Sequence, residues 1–216
     1  MTLSVQVADA APGAVLRVAG MIAERARAVV EDRGAFTLAL SRRAELVARL
    51  GDEDLPWPHV TVFQVDERVV PLGHDDRNLT QLYTALPFDA VRPLPVDDPD
   101  LEAAADRYAA ELPERLDLVH LGLGPDGHTA SLVPGDPVLD VHDRSVAVTQ
   151  EHEGYRRMTL TYPALAAARE VVWLVTGESK REPLSRVLAG DLSIPAARVR
   201  NDHQRVVIDR AADPRL

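Results

Sequence analysis

Hydrophobic residues along the chain recur in short runs that predict strands. Each run is rich in Val, Leu, Ile or Phe and is bounded by polar or turn-forming residues. The predicted strands are Leu3–Ala8, Phe36–Leu40, Val60–Val65, Leu116–Leu123, Ser145–Thr149, Arg157–Thr161, Glu170–Thr176 and Arg205–Asp209. The run Leu118–Leu123 is almost continuously apolar, so we expect it to be a central parallel strand that is covered on both faces.

Between these runs, apolar residues at helical spacing stand in segments rich in Ala, Leu, Glu and Arg. The predicted helices are Pro12–Glu31, Arg43–Leu50, Asn78–Leu86, Asp100–Leu112, Ser179–Leu188 and a short one at Pro195–Arg198. The Pro- and Asp-rich segment Leu86–Pro99 is interpreted as a surface connection. Alternating strands and helices predict an α/β fold with a mostly parallel sheet. Without an internal repeat or a linker, residues 1–216 are expected to form one domain.

Composition and charge narrow the classes of function. With 46% hydrophobic residues the chain is long enough to bury a sizeable core. A formal net charge of −10 argues against nucleic acid or an anionic membrane as a partner, because both need a broad basic face. The chain has no cysteine, and no targeting or membrane-spanning segment is recognised, so a cytoplasmic protein is expected. We expect a monomer or a weak homo-oligomer.

Three polar segments each follow an apolar strand directly. Asp66-Glu67-Arg68 follows VTVFQV, the segment GPDGH that ends at His128 follows LDLVHLGL, and GESK, ending at Lys180, follows EVVWLVT. In open α/β sheets, ligands bind beyond the carboxyl ends of the strands. The sequence therefore predicts that the three segments meet at one site.

The glycine-rich segment around His128 is suited to present a base. Gly122, Gly124 and Gly127 permit a sharp turn and close approach of a ligand to the backbone. We expect a helix to begin within Thr129–Leu132, and its positive N-terminus would keep the His128 imidazole neutral. Asp126 is then placed to fix the ring tautomer. The alternative is an ordinary turn whose histidine is a cap or a solvent-exposed residue.

The other histidines are interpreted as structural or surface residues. None has metal-ligand spacing to a second His or Cys, so no structural metal is predicted. These residues are His59, His74, His120, His142, His152 and His203.

Dispersed cations accompany the three polar segments. Arg68 follows a strand, Arg157 opens the run RMTLT, and Lys180 stands near the start of a predicted helix. Each one alone is typical of a solvated surface charge. Together they favour an anionic ligand, because a phosphate group is held best by several convergent cations and helix N-terminal amides.

Four segments resemble the 6-phosphogluconolactonase family: QVDERVVPLGHDDRN, LVHLGLGPDGHTASLVPG, RRMTLTYPALAAAREVVWLVTGESK and LSIPAARV. The resemblance runs from about Phe36 to the last strand, and DGHTASL is its most specific part. Related glucosamine-6-phosphate deaminases share DGH but continue with Ile-Ala-Phe-Asn, where this chain has Thr-Ala-Ser-Leu.

The resemblance implies a Rossmann-like three-layer sandwich that hydrolyses 6-phosphogluconolactone without a metal or another cofactor. By motif position, His128 would be the general base and Asp126 its neighbour, and Arg68 would lie in the substrate site. Arg157 and Lys180 would approach the phosphate. The remaining residues predicted to contact the substrate or its phosphate are Ser41, Asp66, Gly124 and Gly127. The oxyanion of the reaction would be met by Arg68 or by N–H groups of the glycine loop.

The chain departs from the family after the strand AFTLAL. The family has a phosphate-binding loop of the type Ser-Gly-Gly-Ser-Thr-Pro there, whereas Ser41 is followed at once by Arg42 and Arg43. Either residues are missing between Ser41 and Arg42, or the loop is truly shortened and one of the two arginines contacts the phosphate. The first explanation is favoured, because a helix that starts directly after Ser41 has no evident turn chemistry.

Two other functions fit the same fold. A sugar-phosphate isomerase or deaminase would need a further acid for proton transfer on the sugar. A non-enzymatic sugar-phosphate sensor usually carries a DNA-binding module, and the acidic N-terminal segment does not resemble one.

Overall fold

The computed structural model describes residues 2–216, and its centre is a seven-stranded sheet with the order β1-β10-β9-β6-β2-β3-β5. Every neighbouring pair in this sheet is parallel. A smaller antiparallel sheet has the order β4-β8-β7. The strands are β1 (Thr2–Ala8), β2 (Phe36–Leu40), β3 (Val60–Gln64), β4 (Asp66–Arg68), β5 (Val91–Arg92), β6 (Leu118–Leu121), β7 (Val146–Val148), β8 (Arg157–Leu160), β9 (Val171–Val175) and β10 (His203–Asp209). The predicted α/β fold with a mostly parallel sheet is confirmed.

Helices cover the central sheet and divide the core into two clusters. The α-helices are α1 (Ala11–Arg33), α2 (Ala44–Asp52), α3 (Asn78–Tyr83), α4 (Leu101–Glu111), α5 (Tyr162–Ala167) and α6 (Arg181–Ala189). The 3₁₀ helices are Trp57–His59, Phe88–Ala90, Pro137–Asp140, Glu178–Lys180, Pro195–Arg198 and Arg210–Ala212. One cluster unites the apolar residues of α1, α2 and α3 with one sheet face, and the other contains those of α4. None of the helices within residues 2–216 combines the length and apolarity that a membrane span needs.

Alternation along β6 assigns its side chains to these two clusters. Leu118 packs in the cluster of α1 and α2, whereas Val119 and Leu121 pack in the other. Because successive side chains of a strand point to opposite faces, His120 is on the same side as Leu118. All four residues of this strand are buried, as expected for a central strand.

The segment after His128 differs from the prediction. No helix begins within Thr129–Leu132; these two residues instead form an isolated antiparallel bridge. Gly127 has φ 85° and Ala130 has φ 53°, and such left-handed residues interrupt a helix. The expected stabilisation of a neutral His128 by a helix N-terminus is therefore wrong.

The connection after β2 is short and continuous. The full sequence runs directly from Ser41 into Arg42, and the three residues 41–43 join Leu40 to Ala44. The favoured expectation of missing residues is therefore wrong. A three-residue connection suffices because the Ser41 backbone N–H still donates to the His120 carbonyl at 3.2 Å and Arg43, in extended conformation, directly precedes α2.

Candidate active site

A cleft of about 250 Å³ opens at the carboxyl edge of the central sheet. Its walls come from the carboxyl ends of the neighbouring strands β9, β6 and β2, from the start of α3 and from the small sheet. The lining residues are Ser41, Arg42, Arg43, Asp66, Arg68, Asn78, His120, Gly122, Leu123, Gly124, Pro125, His128, Ala130, Arg157, Leu174, Val175, Thr176 and Lys180. The structure thus brings the three predicted segments together at one edge of the sheet.

Positive charge dominates this cleft. Its lining contains five cationic side chains and one carboxylate, that of Asp66; the cations are Arg42, Arg43, Arg68, Arg157 and Lys180. The chain as a whole carries a formal charge of −10. A concentration of cations in a concave site of an acidic protein favours a small anionic ligand.

His128 and Asp126 form a close pair. The His128 Nδ1 lies 2.6 Å from Asp126 Oδ1, and the His128 backbone N–H donates to the same oxygen at 3.1 Å. Burial raises the pKa of Asp126, but the hydrogen bonds and the charge of His128 outweigh it, so this pKa is below its usual value. An ionised carboxylate only accepts hydrogen bonds, so Nδ1 must carry the proton. The lone pair of Nε2 is left for a second partner.

Gly124 is needed to hold this pair in place. A Cβ atom at residue 124 would lie 2.2 Å from His128 Nδ1 and 2.7 Å from Asp126 Oδ1. The Gly124 N–H donates to the His128 carbonyl at 2.8 Å. Only a residue without a side chain permits this approach of the loop to its own imidazole.

Gly127 lies outside the cleft wall. Its N–H donates to the Gly124 carbonyl at 3.1 Å, and a Cβ there would lie 2.7 Å from Cβ of Ile194. In this structure, Gly127 therefore closes the loop rather than lining the predicted substrate site. The N–H groups of Gly124 and Gly127 are taken up inside the loop and are not oriented toward a ligand.

Lys180 lies on the β9 side of the cleft. Burial lowers its pKa from the usual value; the negative charge of Asp126 opposes this shift, and the positive charge of Arg43 adds to it. Lys180 is therefore close to both the His128–Asp126 pair and Arg43. A second anion at this place would relieve the repulsion between the two cations.

Arg68 and Arg157 stand side by side across two antiparallel strands. They are directly paired in the register of β4 and β8. Arg68 Nη1 donates to the Asp76 carbonyl at 3.1 Å and to Asn78 Oδ1 at 3.2 Å, and Arg157 Nη2 lies 3.2 Å from Glu153 Oε2. Neither buried Nε has a hydrogen-bond partner within residues 2–216. Like charges that face each other across a sheet are destabilising, so this pair fits an anion bound in front of it.

Asp66 is held by the segment after His128. The Ser131 hydroxyl donates to Asp66 Oδ2 at 2.6 Å, and the Asn78 side-chain amide donates to the Asp66 carbonyl at 2.9 Å. Ser131 is fully buried. Asp66 lines the cleft, and its carboxylate can accept a further hydrogen bond from a sugar hydroxyl.

Glu67 is a structural carboxylate between these site residues. Its side chain is 0% exposed. Oε1 accepts from the backbone N–H groups of Arg68 and Asn78, and Oε2 accepts from Leu79 N–H and the Gln64 amide, all within 2.8 Å. The burial of Glu67 raises its pKa, and these four hydrogen bonds oppose that shift. Glu67 therefore fixes the start of α3 against β4.

We expect Glu67→Gln to lower the free energy of unfolding by about 1–3 kcal/mol, because a glutamine NH₂ group must face backbone N–H donors. Urea denaturation measures this change. Glu102→Gln, which alters an exposed carboxylate paired with Arg144, should stay within about 0.5 kcal/mol of the parent. Loss of activity at unchanged stability would contradict a structural role for Glu67.

Some cleft residues carried weak sequence signals. Arg42 and Arg43 were suggested only by two consecutive arginines after a strand, and Asn78 by nothing beyond its place in HDDRN. Thr176 ends an apolar strand. His120 was assigned no function, although a histidine in an otherwise apolar run is a signal in itself.

Comparisons with known proteins agree on one family. The sequence model described as "Glucosamine-6-phosphate isomerases/6-phosphogluconolactonase" matches residues 10–208. The chain is 36% identical to a 6-phosphogluconolactonase of Synechocystis over 78% of each chain. It is 30% identical to one of Nostoc over 239 aligned positions, which cover 100% of this chain and 99% of the relative. Because 239 positions exceed the 216 residues here, that relative contains segments without a counterpart in this chain.

Solved structures show the same likeness. The 6-phosphogluconolactonase of Thermotoga maritima is similar with a TM-score of 0.86 and 26% identity, over 96% of this chain and 99% of that one. The enzyme of Trypanosoma brucei gives a TM-score of 0.87 and 25% identity, over 98% and 97%. A monomeric glucosamine-6-phosphate deaminase has a TM-score of 0.82 but 18% identity, which shows a shared fold alone.

Proposed function

The chain belongs to the family of glucosamine-6-phosphate isomerases and 6-phosphogluconolactonases, and we propose that His128, in the cationic cleft, is the base with which it hydrolyses 6-phospho-D-glucono-1,5-lactone. Relatives named for this lactonase are 30–36% identical over most of the chain, so the chain is a lactone hydrolase of the oxidative pentose phosphate pathway. The observation that carries the residue assignment is the His128–Asp126 pair, held at 2.6 Å among cations.

His128 activates the attacking water in this proposal. Asp126 holds the proton on Nδ1, so Nε2 accepts a proton as the water oxygen bonds to the lactone carbonyl carbon. The bond from that carbon to the ring oxygen then breaks, and the ring oxygen takes the proton back from the imidazolium. The products are a free hydroxyl group and the carboxylic acid of 6-phosphogluconate, which ionises.

Arg68 is assigned to the oxyanion of the tetrahedral intermediate. The N–H groups of Gly124 and Gly127, the other predicted donors, already donate to carbonyls of their own loop. Arg68 is anchored by Asp76 and Asn78 through Nη1 and presents a buried Nε without a partner in the described chain. A fixed donor aimed at developing charge lowers the barrier without reorganising during the reaction.

Arg157 and Lys180 are assigned to the phosphate, and Ser41 and Asp66 to hydroxyl or phosphate oxygens. Arg157 is buried and Lys180 half-buried, so an anion that they bind is shielded from bulk water. Shielding strengthens each charge-assisted hydrogen bond. Phosphate binding then positions the lactone ring at His128.

We expect Lys180→Ala or Arg157→Ala to raise KM for the phosphorylated lactone about ten- to thirtyfold and to change kcat much less, because phosphate contacts are shared by ground and transition states. Steady-state kinetics on both variants measure this effect. Glucono-1,5-lactone, which lacks the phosphate, serves as the control substrate, and its kcat/KM should not change. An unchanged KM in both variants would exclude the phosphate role.

The reaction itself is tested by following hydrolysis of freshly prepared 6-phosphogluconolactone, with glucosamine 6-phosphate as the alternative substrate. Release of ammonia from the amino sugar without lactone hydrolysis would contradict the proposed function. The cytoplasmic location, the absence of a cofactor or nucleic-acid partner, and a monomer or weak homo-oligomer stay predictions.

A further inference from the structure

His120 is a buried polar group that the proposed mechanism does not use. It is 1% exposed, lies on the central strand β6 and lines the cleft. Neither ring nitrogen makes a hydrogen bond of normal geometry within residues 2–216, although the ring lies near enough to the Ser41 backbone to interact with it weakly. Buried polar groups in proteins are almost always well hydrogen-bonded, so a ring without a partner of normal geometry calls for a function.

The residues beside His120 in the sheet are apolar, so the polar groups near its ring are those of the cleft. Its neighbours in register are Leu40 on β2 and Val172 on β9, and Leu118 precedes it on the same sheet face. These side chains are apolar and pack in the cluster of α1 and α2. The polar groups around the ring are therefore those of the cleft, Ser41 and Arg43 among them.

His120 is neutral at physiological pH. Burial, together with the positive charge of Arg43, lowers its pKa to about 3, and the weak hydrogen-bonding interaction with the Ser41 backbone opposes this shift. A neutral imidazole keeps one N–H donor and one acceptor. Such a donor can bind an anion without taking up a proton.

Arg43 is directed toward the same part of the cleft. Its Nη2 donates to Thr176 Oγ1 at 2.6 Å at the end of β9, and its charge acts on both His120 and Lys180. Its only acidic partner within residues 2–216 is Glu45, an exposed side chain, at 3.2 Å. Arg42 differs, because its guanidinium faces the Gln81 side-chain amide on α3; with that amide turned so that its oxygen faces the guanidinium, Nε and Nη2 donate to it at 3.0 and 3.2 Å.

We propose that Arg43 and His120 bind the substrate's phosphate group beside Lys180, and so replace a glycine-rich loop for which the three-residue connection Ser41–Arg43 has no room. The proposal rests on the proposed function and deepens it. A glycine loop offers neutral backbone N–H groups to a phosphate. Here a guanidinium from the connection and an imidazole from the neighbouring strand supply the donors instead, and Arg43 exchanges its hydroxyl partner for phosphate oxygens.

The arrangement has a consequence for specificity. Donors that contact the phosphate alone stabilise ground and transition states equally, so they act on KM. They also increase the preference, measured as the ratio of kcat/KM values, for a phosphorylated over an unphosphorylated lactone. Only the phosphorylated lactone can form hydrogen bonds with the buried His120 ring. A merely structural histidine would affect both substrates alike.

The test compares His120→Leu, His120→Gln and Arg43→Met, with Arg49→Met as the control. Leucine continues the apolar face around residue 120, and glutamine keeps an N–H donor. Arg49 lies on α2, the helix that follows Arg43, and pairs with Glu53 outside the cleft. The measurements are KM and kcat for the phosphorylated lactone, kcat/KM for glucono-1,5-lactone, and the inhibition constant of inorganic phosphate.

We expect His120→Leu and Arg43→Met to raise KM and the phosphate inhibition constant about tenfold or more. Glucono-1,5-lactone should be hydrolysed as by the parent, His120→Gln should lose less than about threefold, and Arg49→Met should change nothing. If phosphate inhibition stays within twofold of the parent in both His120→Leu and Arg43→Met, or if both lactones are affected equally, the proposal is overturned. Thermal unfolding identifies any variant that does not fold, and the test then rests on the variants that do.

Calorimetric titration of the parent and the variants with inorganic phosphate separates this proposal from the proposed function. A parent that binds phosphate through Arg43 and His120 but hydrolyses no lactone would overturn the function and support the site. A parent that hydrolyses the lactone while the variants bind phosphate unchanged would overturn the site alone.

Discussion

Replacing His128 by Asn is expected to lower kcat for lactone hydrolysis by about 10²- to 10⁴-fold, the usual contribution of a general base. Asparagine keeps a polar side chain of similar reach but cannot take a proton from water. Folding should be nearly unaffected, because the residue lies in a loop and its ring is half-buried at the cleft. Initial rates at saturating substrate, with thermal unfolding as the check on folding, measure the effect.

The lactone also opens without an enzyme, which sets the conditions of this measurement. The uncatalysed rate is subtracted, and the assay is run below about pH 7, where spontaneous hydrolysis is slower. Full activity in the variant would exclude His128 as the base. Suspicion would then fall on Asp66, since both oxygens of Glu67 are saturated by backbone and amide donors.

The pH dependence of the parent provides a second readout for the same residue. A general base works only while it is unprotonated, so the rate should fall as the pH is lowered and the base takes up a proton. In His128→Asn this acid limb should vanish, and a limb that persists unchanged would assign it to another group.

Replacing Gly124 by Ala is expected to lower kcat about 100-fold or more. The new Cβ would lie 2.2 Å from His128 Nδ1 and 2.7 Å from Asp126 Oδ1, so the imidazole and the carboxylate must both move. A displacement of about 1 Å at a reacting group costs on the order of 10²-fold in rate. Steady-state kinetics and a crystal structure of the variant measure the loss and the displacement.

Gly122 provides the comparison within the same loop. A Cβ at residue 122 meets no protein atom within 4 Å, so His128 and Asp126 stay in place in Gly122→Ala. We expect a much smaller loss of kcat there. Equal losses in the two variants would contradict the displacement of the imidazole as the cause.

Much of the fold was predictable because it depends on local patterns. Two apolar runs predicted strands of the parallel sheet, Leu118–Leu121 and Val171–Val175. In the structure these two strands, β6 and β9, lie next to each other in the sheet. The short elements β4, β5 and α5 escaped prediction. Strand β4 is only three polar residues long, and pairing with β8 rather than its own composition makes it a strand.

The part of the candidate site that directly follows strands was predictable from the sequence. Asp66, Arg68, His128 and Lys180 each follow an apolar strand, and the topology of a parallel sheet brings such positions to one edge. Gly127 was expected at the substrate but is not among the residues that line the cleft, and glycine spacing alone does not distinguish a tight loop from a ligand-binding one. The segment Thr129–Leu132 was wrongly expected to be a helix, because the left-handed Ala130 cannot be read from residue type.

The sequence by itself determined the order of most strands and helices, the lack of cysteine and the negative net charge. It also determined which cations and which histidine follow strands. These features are local, since each depends on residues close together in the chain. Only the tertiary structure decided which side chains face one another. Arg68 lies opposite Arg157 in the small sheet, and Arg43 lies near His120 and Lys180. Glu67 is buried and accepts four hydrogen bonds. These relations join residues far apart in sequence, and their energies depend on burial and distance, which exist only once the chain is folded.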